Sequence, residues 1–568
     1  MNFNISNEPQ SEEEHSLPLP TEKDQNQSKI SRFKAWFLSR KKWTIPASVL
    51  ILVMIVSAIP LTRYKIAAIA LKNDFSLQVV DDATARPVSD ALVVAGNVQA
   101  ITNGSGEATL KNLPVGQKTL TITKKHYRGT NYSYLVPIMD QKTKPRVSLT
   151  ATGRQVSVKV HNFVNQKPLS GVSIKADDAE ATTDEDGNAL LVLPAQAKEQ
   201  EAQLSLKGFN QSTVTLSVTE EDNNERNVFK LVPAGKVYFM SKRTGKLDLM
   251  KSNLDGSEAT VVLAGTGHEQ EYKTSLSPSP DWKYVALVTR RSPNDATPQL
   301  YMINTEDDKL TNVDNGNSEF YLYGWSSGNL IYEVTRNDVP IWQQGKNKLK
   351  SYDAANSRLT MLDQSAGSDE TLNAGESYIG VGITGDTVVF AKSWYGHYYA
   401  SDLSGKQHSL HTISASGANH KTVSTYDAVK YSIHLRQPGP SQYYLSQTSE
   451  NEPRVYYEFS PGGQPKTINI DEDKFYDSMP TYIFSAAGKK VAWSEPRDGK
   501  EAIIVSDSRG QNSTVVANLE DHSIFSWFGD SYLVLSKKSN ELYVMDAAGG
   551  DPVRITSYQS VSSAHGYY

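Results

Sequence analysis

The sequence predicts a mainly β protein with a single N-terminal transmembrane helix, two small β-sandwich modules and a seven-bladed β-propeller, for which six blades are the alternative. Three patterns predict this fold class. An uncharged apolar run lies near the N-terminus, two adjacent segments repeat each other's turns, and short strands rich in tyrosine and valine recur through residues 235–568. The predicted order along the chain is therefore anchor, stalk and propeller.

Length and composition exclude several classes of protein. A chain of 568 residues is too long for one hydrophobic core, so several domains are expected. The 58 Lys and Arg against 63 Asp and Glu are spread along the chain with a net charge of -5, which argues against nucleic acid as a partner. The absence of cysteine excludes disulfides, thiolate nucleophiles and cysteine-ligated metals. No cofactor is expected.

The apolar run from Trp43 to Thr62 contains no charged residue. About 20 helical residues cover about 30 Å, the thickness of a bilayer's hydrocarbon core, so a transmembrane helix is predicted over residues 43–62. Basic residues are denser before the run than after it, which places the N-terminus in the cytoplasm. The predicted location is the cell membrane, with a single pass and extracytoplasmic C-terminal domains.

The remaining N-terminal segments follow from this helix. Residues 1–42 are predicted to be a disordered cytoplasmic tail, because they are polar and poor in apolar side chains. Residues 63–74 are predicted to be a juxtamembrane link. A cleaved signal peptide is the alternative, since Val56-Ser57-Ala58 offers small residues at a cleavage position.

Residues 75–150 and 154–232 repeat each other. Asn103-Gly-Ser-Gly106 in the first segment corresponds to Asp184-Glu-Asp-Gly187 in the second, and alternating apolar residues predict short strands in both. Each segment is predicted to be a small β-sandwich. Asp184, Glu185 and Asp186 are interpreted as a solvated turn rather than a calcium loop, because further oxygen ligands at the proper spacing are missing.

The turns of these modules carry a family resemblance. Pro168-Leu-Ser-Gly171-Val172 and Thr183-Asp-Glu-Asp-Gly187 resemble the turns of carboxypeptidase regulatory-like domains, which are transthyretin-like sandwiches. The first copy departs from this pattern at Thr102-Asn-Gly-Ser-Gly106. The resemblance implies spacer modules, and hence a stalk.

The C-terminal segment, residues 235–568, contains seven similar units. Strands of one type begin near Val237, Tyr284, Leu330, Thr387, Tyr443, Lys490 and Tyr532. Four-stranded blades around an axis let every sheet bury both faces and predict a propeller. The last residues, 560–568, are expected to supply the strand that the first blade lacks.

Two segments of residues 235–568 resemble a known repeat signature. Ser277-Pro-Ser-Pro280-Asp281-Trp282-Lys283 and Phe484-Ser485-Ala-Ala-Gly488-Lys489, each followed by Val and Ala, resemble the S-P-D-G-K-x-[IV]-A signature of TolB-like, or WD40-like, propeller repeats. The signature is weak in the third to fifth units.

Two motifs that suggest chemistry are interpreted as structural. Gly324-Trp-Ser-Ser-Gly328 matches a nucleophile elbow, but a strand follows it where a helix is required. His408, His411 and His420 have no carboxylate at ligand spacing and are interpreted as loop histidines rather than a metal site. No catalytic or metal-binding residue is assigned.

Loops between the first and second predicted strands of each blade should gather on one face of the ring. They carry arginine and aromatic residues, the types that dominate binding hot spots: Arg243, Arg290, Arg291, Trp342, Trp394, Tyr395, His397, Arg454 and Arg497. The candidate ligand-binding residues are Trp342, Trp394, Tyr395, His397 and Arg497. The alternative is that these rings pack inside an enlarged blade.

The sequence thus favours a membrane-anchored extracytoplasmic binding or scaffolding protein. Its propeller face would recognise a protein, peptide or glycan. The competing hypothesis is an extracytoplasmic propeller enzyme, such as a polysaccharide lyase or hydrolase, that uses His268, His397 or His434 near the central channel. A third hypothesis gives the acidic N-terminal tail a signalling role.

Overall fold

The structure, a computed structural model, falls into two compact units, residues 1–153 and 154–568. It describes residues 34–58, 71–139, 141–194, 198–218, 227–396, 400–449, 452–477, 479–538, 541–556 and 562–563. The first unit contains a helix and one β-sandwich. The second contains another β-sandwich and seven consecutive sheets.

Helix α1 covers Lys41–Ala58, and the prediction of a transmembrane helix over residues 43–62 is wrong. Within the described residues, no helix is both long enough and apolar enough to cross a membrane. The helix starts with two lysines, and its uncharged part, residues 43–58, covers only about 24 Å at 1.5 Å per residue, short of about 30 Å. Residues 1–33 of the predicted tail and 63–70 of the predicted link lie outside the described residues.

The first sandwich has two four-stranded sheets, ordered β4-β1-β8-β6 and β3-β2-β5-β7. Its strands are β1 (Lys72–Asp81), β2 (Leu92–Ala95), β3 (Val98–Ile101), β4 (Glu107–Pro114), β5 (Gly116–Thr123), β6 (Tyr127–Arg128), β7 (Thr130–Val136) and β8 (Arg146–Ala151). Strand β1 buries Phe75, Leu77 and Val79 on one side, the alternation that a sheet with one buried face requires.

The second sandwich, in the second unit, repeats this topology. Its strands are β9 (Arg154–Asn162), β10 (Ser173–Ala176), β11 (Ala179–Thr182), β12 (Asn188–Leu193), β13 (Glu199–Ser205), β14 (Ser212–Ser217) and β15 (Val228–Leu231). In both sandwiches the opening strand pairs antiparallel with the strand after the turn and parallel with the closing strand. The sequence repeat therefore corresponds to a repeat of strand order.

Seven consecutive antiparallel sheets follow and confirm a propeller-like fold. The first sheet contains β16 (Val237–Ser241), β17 (Asp248–Ser252) and β18 (Thr260–Leu263); the second contains β19 (Ser275–Pro278), β20 (Tyr284–Thr289), β21 (Gln299–Asn304) and β22 (Lys309–Asp314); and the third contains β23 (Ser318–Ser326), β24 (Asn329–Arg336), β25 (Asn347–Asp353) and β26 (Arg358–Gln364).

The fourth sheet contains β27 (Gly375–Thr384), β28 (Thr387–Tyr395), β29 (Gln407–Ser414) and β30 (Lys421–Asp427), and the fifth contains β31 (Ser432–Gly439), β32 (Gln442–Thr448), β33 (Val455–Phe459) and β34 (Lys466–Ile468). After helix α2 (Glu472–Tyr476), the sixth contains β35 (Ile483–Phe484), β36 (Lys490–Arg497), β37 (Lys500–Asp507) and β38 (Thr514–Leu519), and the seventh contains β39 (His522–Phe528), β40 (Tyr532–Lys537), β41 (Glu541–Asp546) and β42 (Val553–Thr556). Short 3-10 helices cover Glu271–Lys273 and Ala400–Leu403.

Hydrogen bonds between the first strands of sheets two to seven, or the residues beside them, close a ring. The donor and acceptor pairs are Trp325 to the Ser277 carbonyl, Ser326 to the Gly385 carbonyl, Thr384 to the Pro440 carbonyl, Tyr482 to the Pro438 carbonyl, Trp527 to the Ile483 carbonyl, and Trp282 to the Trp527 carbonyl. The first sheet has only three strands in the described part of the chain and contributes none to this ring. The described residues of the domain thus form seven sheets with six inner strands.

The first sheet packs between the second and seventh sheets. Its buried residues Tyr238 and Phe239 share a hydrophobic core with Trp282 of the second sheet and Phe525 and Phe528 of the seventh. Strand β43 (Ser562–Ser563) pairs parallel with β19 of the second sheet, whereas the C-terminal residues were predicted to complete the first.

Candidate functional site

The connections of the seven sheets define two ends of the propeller-like domain. Because successive strands are antiparallel, connections from second to third strands and links between sheets open at the same end. This end, the loop face, comprises the described residues 242–247, 264–274, 290–298, 315–317, 337–346, 365–374, 396, 400–406, 428–431, 449, 452–454, 469–477, 479–482, 498–499 and 520–521. The opposite end, the turn face, carries the connections from first to second and from third to fourth strands.

The second sandwich packs on the turn face. The Asn162 side chain donates a hydrogen bond to the Tyr532 hydroxyl at 2.9 Å, and the Asn165 side chain donates to Asp546 at 2.6 Å. A cleft of about 460 Å³ lies at this junction. Two charged groups that line it, Asp281 and Lys283, pair with each other at 3.5 Å, so the cleft offers no concentrated charge for a ligand.

Eight of the nine loop residues singled out from the sequence lie in the described part of the chain, and seven of them belong to equivalent connections. These seven lie in, or at the end of a strand flanking, the connection between the second and third strands of their sheets, as Trp342 does between β24 and β25. Arg243 lies between β16 and β17, the first two strands described in the first sheet. In sheets two to seven, the strand that the sequence pattern identifies as first is the second strand, because the inner strand precedes it.

The structure brings Trp342, Trp394 and Tyr395 into neighbouring connections. The Trp342 carbonyl accepts a hydrogen bond from the Ser368 amide at 2.9 Å, in the link that leads to the fourth sheet. The Trp394 ring is only 7% exposed, packs with Leu403, and donates to the Gln407 carbonyl at 3.1 Å. The Trp394 ring thus packs inside its own sheet, as the alternative to a ligand-binding role describes.

The other two candidate residues lie apart from these rings. Arg497 is exposed at the end of β36 in the sixth sheet and pairs with Glu495 at 3.0 Å. His397 lies outside the described residues. A role of the five candidates in ligand binding stays a prediction.

The histidines proposed for an enzyme lie in different sheets. His268 is exposed in the link before the second sheet, and His434 lies on β31 of the fifth. The convergence that the enzyme hypothesis requires is therefore not found for this pair. Among the described residues, no group of three His, Asp or Glu side chains is placed to hold a metal ion.

The interpretation of His408 and His411 as loop residues is wrong, since both lie in β29 and are buried. His408 Nδ1 accepts from the Trp394 amide at 3.2 Å. The His411 ring stacks on Phe390 at 5.0 Å, and burial lowers its pKa to about 4. A neutral imidazole at this position serves packing.

Two further sequence motifs are part of the scaffold. Ser326, the central serine of the G-x-S-x-G motif, donates to the Gly385 carbonyl at 2.7 Å and so links the third and fourth sheets. The Asp184 carboxylate accepts from the amides of Asp186 and Asn188 at 3.0 and 2.8 Å, which forms a turn around its own backbone. Both contacts agree with the structural interpretations.

Sequence reasoning missed a cluster of His434, Arg436, Arg454 and Tyr476 on the fifth sheet and α2. The two guanidinium carbons lie 5.8 Å (Arg436) and 5.2 Å (Arg454) from the Tyr476 ring centroid, and the His434 ring meets it edge-on at 6.0 Å. We call these residues the arginine–tyrosine cluster. The alternation of His434 and Arg436 with the apolar residues Ile433 and Leu435 could have indicated a strand with one polar side. Nothing in the sequence pattern indicates that α2 packs against that side.

The cluster concentrates positive charge. Arg454 pairs with Glu472 of α2, whereas the described residues provide neither His434 nor Arg436 with a hydrogen bond or ion pair. Burial lowers the pKa of His434, and the charges of Arg436 and Arg454 lower it further. The arrangement is suited to accept an anionic group.

Comparisons with known proteins show no family for this chain: no family model matches it, and no curated protein matches it. Among solved structures, the propeller of the trilobed protease from Pyrococcus furiosus is 13% identical, with a TM-score of 0.32, over 64% of this chain and 95% of that one. TolB from Acinetobacter baumannii is 12% identical, with a TM-score of 0.25, over 56% and 75%. A chain of a nidogen/laminin complex is 12% identical, with a TM-score of 0.27, over 56% and 93%.

Proposed function

We propose that this chain is a binding or scaffolding protein that recognises a protein or peptide through its loop face. The observation that carries the proposal is the arginine–tyrosine cluster, where His434 and Arg436 contact the Tyr476 ring but have no hydrogen-bond or ion-pair partner within the described residues. Arginine and aromatic side chains at such positions supply most of the binding energy in protein interfaces.

The scaffold suits this role because the ring holds the loops firmly. Six inner strands are joined by hydrogen bonds, and large rings such as Trp527 and Tyr332 are fully buried between sheets. Loops fixed on a rigid frame lose little conformational entropy on binding. The sandwich contacts lie on the turn face, so they do not occupy the proposed recognition surface.

The two sandwiches are proposed to be spacer modules of the carboxypeptidase regulatory-like type. Their common strand order supports this, as does a common turn in which Thr102 or Thr183 donates to a carbonyl 14 residues earlier, at 2.7 and 2.6 Å. The extracytoplasmic location predicted from the sequence is untested by the described residues. It is not needed for the proposed recognition.

A capture experiment with matched variants tests the function. The full chain is immobilised, and the proteins retained from an extract of its source cells are compared between the native chain, one triple variant and one double variant. The loop-face variant carries Trp342→Ala, Tyr395→Ala and Arg497→Gln, and the turn-face control carries Lys283→Gln and Lys309→Gln. We expect a retained protein to be lost with the first and kept with the second. Equal retention by both variants, or retention of nothing by the native chain, contradicts the proposal.

A further inference from the structure

We propose that the arginine–tyrosine cluster binds a carboxylate side chain of an acidic peptide segment. The proposal rests on the proposed function and specifies the chemistry of the partner. Its site is built from β31, the connection between β32 and β33, and α2, all within one sheet and its link to the next.

The first step is that the cluster is held in place before any ligand arrives. Strand β31 buries Ile433 and Leu435 on one side, which directs His434 and Arg436 to the other. Tyr476 follows Phe475, which is fully buried and packs against the Tyr456 ring at 5.1 Å. Because Phe475 anchors α2, the Tyr476 ring stays beneath both guanidinium groups.

The second step is that Arg436 differs from the other arginines of the loop face. Arg291 pairs at 3.3 Å with Glu269, whose side chain is 1% exposed, and Arg290 donates to backbone carbonyls. Arg497 pairs with Glu495. For Arg436, the contact found in the described residues is the ring of Tyr476, which leaves the edge of its guanidinium without a hydrogen-bond acceptor.

The contacts within the cluster indicate the chemistry of its ligand. Glu472, an exposed carboxylate, already pairs with Arg454, so the cluster accepts this group within the chain itself. Guanidinium groups bind carboxylates through two parallel hydrogen bonds, and the N–H of the neighbouring His434 imidazole adds a third donor. The Tyr476 ring, 37% exposed, adds an apolar wall on which the methylene groups of a glutamate pack. An acidic peptide therefore fits better than a fully hydrated sulfate.

Fluorescence anisotropy at low salt tests the inference on the full chain. The probe is a labelled peptide of six glutamates flanked by tyrosines, and the matched peptide has six glutamines. We expect binding of the first only, with at least a tenfold loss in Arg436→Gln and no change in Arg358→Gln, whose side chain is 61% exposed at the turn-face end of β26. A second variant, His434→Gln, is expected to weaken binding several-fold, and the melting temperature of each variant shows that it folds.

Three results overturn the inference: equal binding of both peptides, binding of the glutamate peptide that Arg436→Gln leaves unchanged, or tighter binding of a sulfated oligosaccharide than of the glutamate peptide. The His434 imidazole gives an independent readout, because a bound carboxylate should raise its pKa in an NMR titration. If Arg436→Gln still retains the cellular protein in the capture experiment while the native chain ignores the glutamate peptide, the carboxylate site fails and the binding function stands.

Discussion

Glu333 shows how one buried residue makes the stability of the fold depend on pH. Its side chain lies in β24, is 8% exposed and accepts a hydrogen bond from the Tyr323 hydroxyl at 2.6 Å. Burial raises the pKa of Glu333 to about 7, while the unfolded chain should titrate near 4.3. Folding therefore favours the protonated form.

The first prediction concerns Glu333→Gln. A raised pKa gives a stabilising contribution that is complete below about pH 4.3 and is lost as the pH rises through about 7, in total roughly 4 kcal/mol. We expect the free energy of unfolding of the native chain, relative to Glu333→Gln, to fall between pH 5 and pH 8 in urea titrations. Glu306 is exposed, so Glu306→Gln is the control: its free energy of unfolding should change with pH as that of the native chain does. Parallel pH profiles for all three proteins would refute the buried-carboxyl account.

Trp282 occupies a position where the propeller signature has glycine. Its φ of 57° lies in the left-handed region that favours glycine, and its indole donates to the Trp527 carbonyl at 2.6 Å. The ring lies 6.2 Å from Phe525 and 6.0 Å from Phe528. The sequence located the turn but did not show that its side chain joins the second sheet to the seventh.

A second prediction follows for this turn. Trp282→Gly relieves about 1 kcal/mol of backbone strain but removes a buried ring worth about 3–5 kcal/mol, so a net loss of stability is expected. Trp282→Phe keeps most of the packing and should lose only about 1–2 kcal/mol. Chemical unfolding of both variants measures the difference. A glycine variant more stable than the native chain would show that strain outweighs packing.

At the scale of elements, neighbouring sheets are joined by recurring ion pairs, two of them largely buried and one partly exposed. Asp308, Asp314 and Asp363 each accept a hydrogen bond from a tyrosine hydroxyl and pair with a lysine, both supplied by the adjacent sheet. The lysines are Lys251, Lys350 and Lys392. Strand positions were predicted from apolar periodicity, but these pairs were not, because their members are distant in sequence and follow no period.

The third prediction tests the pair at the third and fourth sheets. Lys392 lies 3.2 Å from both Asp363 and Glu376, and all three side chains are largely buried. Lys392→Met should cost about 3–5 kcal/mol, since two buried carboxylates lose their cation. The triple variant Lys392→Met, Asp363→Asn, Glu376→Gln should recover most of that loss in urea unfolding. No recovery would mean that packing of the lysine stem, rather than charge, holds these sheets together.

At the scale of the whole molecule, sheet count and ring count differ. The sequence predicted seven repeating units, and each predicted strand lies in one of the seven sheets. It left six and seven blades open, and the structure explains why: among the described residues, six inner strands form the ring, and the first sheet contributes none of them. The spanning helix was wrong because apolar composition alone does not fix where a helix begins and ends.

The fourth prediction concerns the junction of the second sandwich with the propeller-like domain. Val164 of the sandwich is 3% exposed in the core of the first sheet, and Phe163 and Val232 pack against that core. A fragment of residues 235–568 exposes this core and should melt several degrees below a fragment of residues 154–568. Val164→Ala in the longer fragment should melt between the two. Equal melting temperatures for the two fragments would show that the sandwich contributes nothing to the domain's stability.

The most direct test of the central claim is site-specific photo-cross-linking of the full chain to the retained cellular protein. A photoreactive residue replaces Tyr272 or Tyr476 on the loop face, which are 74% and 37% exposed, or Lys283 or Lys309 on the turn face. The account predicts adducts from the two tyrosine positions and none from the two lysine positions. Adducts confined to the lysine positions would place recognition on the turn face and contradict it.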